Sequence, residues 1–476
     1  MKTMFSFGSI SPKQLAEMCD TTTIYGNTAS VSVCGICTDS READADTVFC
    51  ALRGERVDGH DYIETACERG CRVILCEEYR EPIAAAGAVA IVVKDCENAL
   101  AKLAFQYMET LQAKSIAVTG SVGKTTTKDM IASVLSVRYE AFKTKGNFNS
   151  VIGMPLSMLE IPKACEYSVL EMGMSGFGEI ERLSLIAQPD IAVITTIGTS
   201  HMEMLGSREN ICRAKLEVLC GLKQDGILLL NGDEPLLANV NGKSYKTLYI
   251  STERENAHFF AKNIRVEADC TRFDIAYNGC LTEDLCVRVV GRHNVYSALF
   301  AFAVGVLSGM TAEEIREGLL RFAPENLRQN IVSFAGMTFM EDCYNASPES
   351  MQAAIDVLDA YHKLKGGRTV AVLGDMLELG EESSALHRQV GAHLAKKSVD
   401  RLITLGKGGS FIAVGAMQCG MKADRIDNFP YYEDVIEEIG AHLVSTLQKG
   451  DAVLFKASRA VGIERLIDYL QKNMKA

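Results

Sequence analysis

Residues 116–127, IAVTGSVGKTTT, constrain the chain more than any other stretch. A short β-favouring run ends in Gly120 and Gly123, and Lys124-Thr125 follow at once. Met130, Ile131, Val134 and Leu135 then recur at helical spacing. Strand, glycine-rich turn and helix in direct succession make a phosphate cradle. The glycines let consecutive amides point at one anion, and the helix N-terminus adds partial positive charge. Lys124 is placed to reach terminal phosphates, and the Thr125 hydroxyl to ligate Mg²⁺. Val118 occupies the first glycine position of G-x-x-x-x-G-K-[ST], so the loop is of the T-G-x-x-G-K-T type.

Such a loop needs a sheet around it. Apolar runs at 167–170, 191–195 and 227–230 end at Glu171, near His201 and at Asn231-Gly232-Asp233. Short runs separated by helical segments predict a largely parallel sheet buried on both faces. Ligands of such sheets sit at the carboxyl ends of the strands. Lys124, Glu171 and His201 are therefore expected at one edge, although alone Glu171 suits a helix cap and His201 a turn. Residues 245–290 alternate differently and predict an antiparallel addition.

Two further α/β blocks flank this one. Before it, runs at 47–52 and 72–76 bracket a helical segment at 62–68. Asp39-Ser40-Arg41 in that block is a turn that suits a diphosphate equally well. After it, runs at 369–373, 402–405 and 452–455 each enter a glycine or polar turn, among them Gly406–Gly409 and Lys456–Arg459. The expected architecture is α/β in three domains: a small N-terminal α/β domain (1–105), a central P-loop mononucleotide-binding sheet (106–325) and a C-terminal Rossmann-like domain (326–476).

Composition excludes several classes. A net charge of −12 argues against a nucleic-acid or anionic-membrane surface. No run reaches the ~18 apolar residues of a membrane span, and ALFAFAVGVL at 298–307 reads as a buried helix. The N-terminus lacks an apolar signal core, so a cytoplasmic location is expected. The 16 cysteines show no framework, and Cys34-x-x-Cys37 has no second pair at zinc spacing. Free, mostly buried thiols are expected.

Beyond the loop, several motifs together resemble the Mur ligases of peptidoglycan synthesis. They are TDSR with GERVDGH, KTKGNFNSVIGMP, YSVLEMGMSGFGEI, HMEMLGSRENICRAKLEVL, GRHNVYSALFAFAVG, EDCYNASPESM, VLGDMLELG and LFKASR. The likeness covers nearly the whole chain. EDCYNASPESM and GDMLELG mark the branch that appends D-alanyl-D-alanine, and the DNPR element of the branch that adds a diamino acid is absent.

The resemblance implies an ATP-dependent ligase acting as a monomer on UDP-MurNAc-tripeptide and D-alanyl-D-alanine through an acyl-phosphate. Gly120, Ser121, Val122, Gly123, Lys124, Thr125 and Thr126 correspond to the ATP loop, and Thr125, Glu171, His201 and Lys215 to magnesium ligands. The resemblance implies that Lys215 is carbamylated, although a lysine on a helix is ordinarily solvent-exposed. There is a physical reason. An ammonium about 5 Å from Mg²⁺ would be repelled by about 7 kcal/mol at an effective dielectric of ~20.

Lys124, Lys215 and His201 are the implied catalytic set. Asn294 corresponds to a contact at the adenine end, and as a residue type also suits a helix N-cap. Arg328, Asp342, Tyr344 and Asn345 correspond to ATP contacts from the C-terminal side, with Asp342 orienting the ribose or Arg328. Asn149, with Lys456, Ser458 and Arg459 near the amino substrate, corresponds to substrate contacts; the last three alternatively read as a solvated strand end. Ser40 and Arg41 correspond to the uridine-diphosphate site. Ser150, Ser347 and Ala457 depart from the usual pattern without removing a charge. Competing readings are a sibling or folylpolyglutamate-type ligase, or a P-loop module hydrolysing ATP as a switch.

Overall fold

The computed structural model describes every residue except 55, 325–327, 433–434 and 475–476. Three sheets follow one another along the chain. The first has six strands in the order Lys2–Met4, Gly35–Cys37, Thr47–Cys50, Val73–Cys76, Val89–Val92, Ile24–Tyr25. Its inner four are parallel, and both edge strands are antiparallel. Thr47–Cys50 and Val73–Cys76 are buried at every position, which explains their unbroken apolar runs.

The central sheet has nine strands: Cys280–Val287, Thr271–Tyr277, Phe259–Val266, Lys246–Ser251, Ile227–Asn231, Ile191–Ile194, Lys114–Thr119, Tyr167–Glu171, Ala141–Lys143. Lys114–Thr119 lies between Ile191–Ile194 and Tyr167–Glu171, parallel to both. In that register Val118 stands beside Val193 and Glu171, so the carboxyl ends of the three strands lie side by side. One expectation is corrected. Lys246–Ser251 pairs parallel on both sides, and antiparallel pairing begins only between Phe259–Val266 and Thr271–Tyr277. The connection before Lys246 buries Leu237 in the core, so it crosses over instead of turning back as a hairpin. The strand is only partly covered, and its resulting alternation looks antiparallel in sequence.

The third sheet runs Asn330–Phe334, Met337–Glu341, Ala452–Lys456, Thr369–Leu373, Arg401–Leu405, Ile426–Phe429. All are parallel except the antiparallel Asn330–Phe334. Here too an expectation fails: Gly406–Gly409 opens the helix Gly406–Gln418 instead of forming a turn. The neighbouring helix Ser383–Leu394 explains these glycines. A Cβ on Gly408 would come within 2.3 Å of His387 Nε2, so the glycine permits close helix packing. The expected boundary at 325/326 lies outside the described residues.

The 298–307 run forms most of a buried helix, Asn294–Leu307, packed on the loop helix Lys124–Leu135, where Thr127 Oγ1 hydrogen-bonds Ser297 Oγ at 2.9 Å. No described helix is long and apolar enough to cross a membrane. All 16 cysteines are free.

Candidate active site

The phosphate loop takes its shape from Gly120 (φ +145°) and Gly123 (φ +85°). A Cβ on Gly120 would lie 1.9 Å from Thr195 Oγ1, so no side chain fits there. Thr195 Oγ1 in turn donates to the Val122 carbonyl at 2.7 Å. Lys124 starts the helix and folds its ammonium onto the Gly120 carbonyl at 2.9 Å. Burial pushes its pKa down, against the pull of Glu171. Thr126 follows on the same helix, with no part in the cavity lining. Ser121 Oγ is buried in the cradle with no hydrogen-bond partner among the described residues.

Glu171 ends its strand almost fully buried. Thr125 Oγ1 donates to its Oε2 at 2.8 Å, and Asn149 Nδ2 to its Oε1 at 2.8 Å. Lys128 stands behind it, fully buried, donating to the Thr144 carbonyl at 2.8 Å and 3.7 Å from Glu171 Oε2. Sequence reasoning missed Lys128. The available signal was its place one helical turn after Lys124, on the same face of the helix.

His201 adopts a left-handed conformation (φ +64°) just before the short helix Met202–Leu205. Its Nδ1 pairs with Glu378 Oε2 at 2.7 Å, and this contact lowers the Glu378 pKa. Lys215 lies on the helix Arg208–Leu216 and is 2% exposed, which overturns the solvent-exposed reading. No described residue offers its ammonium a hydrogen bond or ion pair. Burial, then the Lys124 charge, push its pKa well below the usual lysine range.

The third sheet supplies the opposite wall. Lys456 is 2% exposed and pairs with Asp342 Oδ2 at 2.6 Å, so its strand end is not solvated. It also donates to the Asn345 carbonyl at 3.0 Å. Asp342 therefore faces Lys456 and not Arg328, whose guanidinium stacks 3.8 Å above the Tyr344 ring. Asn294 is not an N-cap. It is the first helical residue, and its Nδ2 donates to the Val290 carbonyl (3.1 Å) and to Gln329 Oε1 (2.9 Å). Gln329 also meets the half-buried His293 ring. Ser458 Oγ accepts from the Leu377 amide at 2.9 Å, and the exposed Arg459 pairs with Glu464 at 3.0 Å.

These walls enclose a cavity of about 360 Å³. From the central sheet it takes residues 121–125, Asn149, Glu171 and His201; from the third, Arg328, Asp342, Tyr344, Asn345 and Lys456. An adjoining cavity of about 340 Å³ joins Ser458 and Arg459 to Lys124, His201 and Glu378. Gly120, Thr126, Lys215 and Asn294 line neither cavity, and nor do Ser40 and Arg41. Ser40 is buried at the carboxyl end of Gly35–Cys37, and the exposed Arg41 is held by Asp39 at 2.6 Å.

The donor set suits a hard divalent cation. The Thr125 hydroxyl meets the Glu171 carboxylate, and an orphaned serine hydroxyl lies in the adjacent cradle. The arrangement is that of a phosphoryl-transfer site built between two α/β units.

Family models match in the same order as the sheets. "Mur ligase family, catalytic domain" matches residues 32–108, "Mur ligase middle domain" 118–305, and "Mur ligase, glutamate ligase domain" 327–459. The chain belongs to the Mur ligase family. Within it, the chain is similar to UDP-N-acetylmuramoyl-tripeptide–D-alanyl-D-alanine ligase of Bacillus subtilis, at 39% identity over 96% of this chain and 97% of that one. Among solved structures, MurF from Acinetobacter baumannii is 30% identical with a TM-score of 0.86, covering 98% of this chain and 99% of its own. MurF ligase from Thermotoga maritima in complex with ADP is also 30% identical, with a TM-score of 0.79, covering 92% and 97%.

Proposed function

We infer that the chain is an ATP-dependent ligase that joins D-alanyl-D-alanine to UDP-N-acetylmuramoyl-tripeptide, giving the pentapeptide precursor of peptidoglycan. The observation that carries this is the cavity with Lys124, Thr125 and Glu171 on one wall and Lys456 and Asp342 on the other. A module that only hydrolyses ATP has no need of the second wall.

The tripeptide's terminal carboxylate oxygen attacks the γ-phosphorus, and ADP leaves. The amine of D-alanyl-D-alanine then adds to the acyl carbon, loses a proton, and phosphate departs. Both halves build negative charge that must be offset in place. The loop amides and Lys124 hold the terminal phosphates. Lys456, kept in place by Asp342 and the Asn345 carbonyl, brings a second buried cation to the acceptor side. Arg328, stacked on Tyr344, faces the nucleotide from the third sheet, and Asn294 with Gln329 marks its adenine end. Ser458 and Arg459 extend the acceptor side through the adjoining cavity.

Thr125, Glu171, His201 and a carbamylated Lys215 would hold Mg²⁺. The His201–Glu378 pair occupies Nδ1 and leaves Nε2 as the ring's ligand atom. When bound, Mg²⁺ would offset the negative charge that builds during phosphoryl transfer. Lys215 is buried with no carboxylate partner among the described residues, and burial pushes its pKa down, which favours the neutral amine that carbon dioxide needs. The reaction gives a carbamate and one proton. Lys215→Ala should lose activity and regain part of it with short-chain carboxylates; an unimpaired variant would remove the carbamate from the scheme.

Ser40 and Arg41 would take the uridine diphosphate, with Arg41 exchanging Asp39 for phosphate oxygens. The working unit is taken as a monomer, as the family resemblance implies. We place the reaction in the cytoplasm, where ATP is available.

The test is incubation with UDP-MurNAc-tripeptides, D-alanyl-D-alanine and ATP, weighing the nucleotide product. The expected mass is tripeptide plus dipeptide less water, with ADP and phosphate formed one for one. ATP hydrolysis indifferent to both substrates would overturn the reading.

A further inference from the structure

We propose that Glu349 is a positioning residue that couples docking of the third sheet to the shape of the loop bearing His201. The inference rests on the ligase reading for its kinetic test but not for its structural one.

The loop at 196–201 leaves the strand Ile191–Ile194 and ends in the left-handed His201. Its Thr199 is 8% exposed. The partner of the Thr199 amide comes from the other unit: Glu349 Oε1 accepts this N–H at 3.0 Å. The same carboxylate accepts from Thr199 Oγ1 at 3.1 and 3.3 Å. Glu349 sits in the first turn of the helix Pro348–Lys365, which packs on the third sheet. One carboxylate thus takes both donors that Thr199 presents.

Gly198 records how close this contact is. A Cβ there would stand 2.9 Å from the Glu349 carboxyl carbon and 3.0 Å from Oε2. Its φ is not in the left-handed region, so the glycine serves the approach and not the backbone. Two residues beyond Thr199, Glu378 from the same unit pairs with His201 at 2.7 Å, and its carbonyl accepts the Glu203 amide at 3.2 Å. The third sheet therefore grips this loop at two points. It also delivers Lys456 and Asp342 to the cavity. Withdrawing the unit would open the second wall and leave the Thr199 donors unpartnered, so the His201 loop is set only when both walls are present.

A hydrogen bond that merely stiffens the fold would change melting temperature and nothing else. A positioning role changes turnover and the coupling between the two sides. The test is a cycle of Gly198→Ala, Glu349→Ala and their combination, with Glu349→Gln as the conservative variant. Glu349→Ala should lower kcat about tenfold, with KM for ATP within about twofold. Glu349→Gln retains an oxygen for the Thr199 amide and should stay within about threefold of the parent. Gly198→Ala should be slower than the parent. Combined with Glu349→Ala, it should add little, because the added methyl then meets no carboxylate.

Additive losses in the cycle, or losses confined to KM, would overturn the proposal. Small-angle scattering with a non-hydrolysable ATP analogue supplies a readout that needs no turnover. Glu349→Ala should be more extended than the parent under the same conditions, and identical curves would count against the coupling. If the parent shows no ligase activity but the scattering difference appears, the functional reading fails and the coupling stands.

Discussion

The central sheet meets its two neighbours through surfaces of opposite character. Toward the first sheet the contact is apolar. Phe5, Leu100, Leu103 and Tyr107 share one buried cluster with Met154, Leu156, Leu159 and Ile161. Tyr107 donates its hydroxyl to the Ile161 carbonyl at 2.5 Å, and the Ser6 amide meets the Leu159 carbonyl at 3.0 Å. Toward the third sheet the contact is mostly polar: Glu349 on Thr199, Glu378 on His201, Gln329 on Asn294. Among the described residues, the central unit brings Val290 into the third sheet's buried cluster and packs the partly buried Val266 against it.

An apolar seam holds by removing surface from water and has no equally good second arrangement. A polar seam exchanges its hydrogen bonds for water at about 1 kcal/mol each. The first two units should therefore move as one body, and the third should open and close over the cavity.

Four substitutions test that contrast. The largest effect is expected from Lys124→Ala: kcat falls about 10³-fold, equivalent to about 4 kcal/mol, while the melting temperature barely changes. Steady-state kinetics with calorimetry reads both. Leu159→Ala at the apolar seam should do the reverse, costing about 3 kcal/mol of stability in denaturant titration and leaving kcat per folded molecule unchanged. Lys456→Met removes the partner of Asp342 and the acceptor-side cation together; kcat should drop about 10²-fold, or about 2.7 kcal/mol, with ADP affinity by calorimetry largely kept. Tyr107→Phe should cost only about 1 kcal/mol, with no kinetic change. A Leu159→Ala variant that lost turnover while staying folded would break the division between the seams.

The sequence made the phosphate loop legible because its parts are contiguous. Gly120, Gly123, Lys124 and Thr125 depend on each other within six residues, and the parallel register brings Glu171 beside them. What stayed hidden depends on partners far along the chain. Glu349 and Glu378 lie inside recognisable motifs, but nothing local says which loop of another unit they face. Lys128 lies in the polar first half of its helix, Lys124–Asp129, and only the fold brings Glu171 and the Thr144 carbonyl over it. Gly406–Gly409 read as a turn because a glycine needed for close helix packing looks the same in sequence as one needed for a bend. Strand Lys246–Ser251 read as antiparallel because partial cover imitates one solvated face.

The most direct measurement is a pair of spin-label distances. One pair spans the first two units, at the exposed Glu17 and Glu140, and the other spans the last two, at Glu140 and the exposed Lys422. Both are measured free and with a non-hydrolysable ATP analogue plus UDP-MurNAc-tripeptide. The account predicts that the Glu140–Lys422 distribution shortens and narrows while the Glu17–Glu140 distribution stays where it was. A shift in the Glu17–Glu140 pair with Glu140–Lys422 unchanged would contradict it.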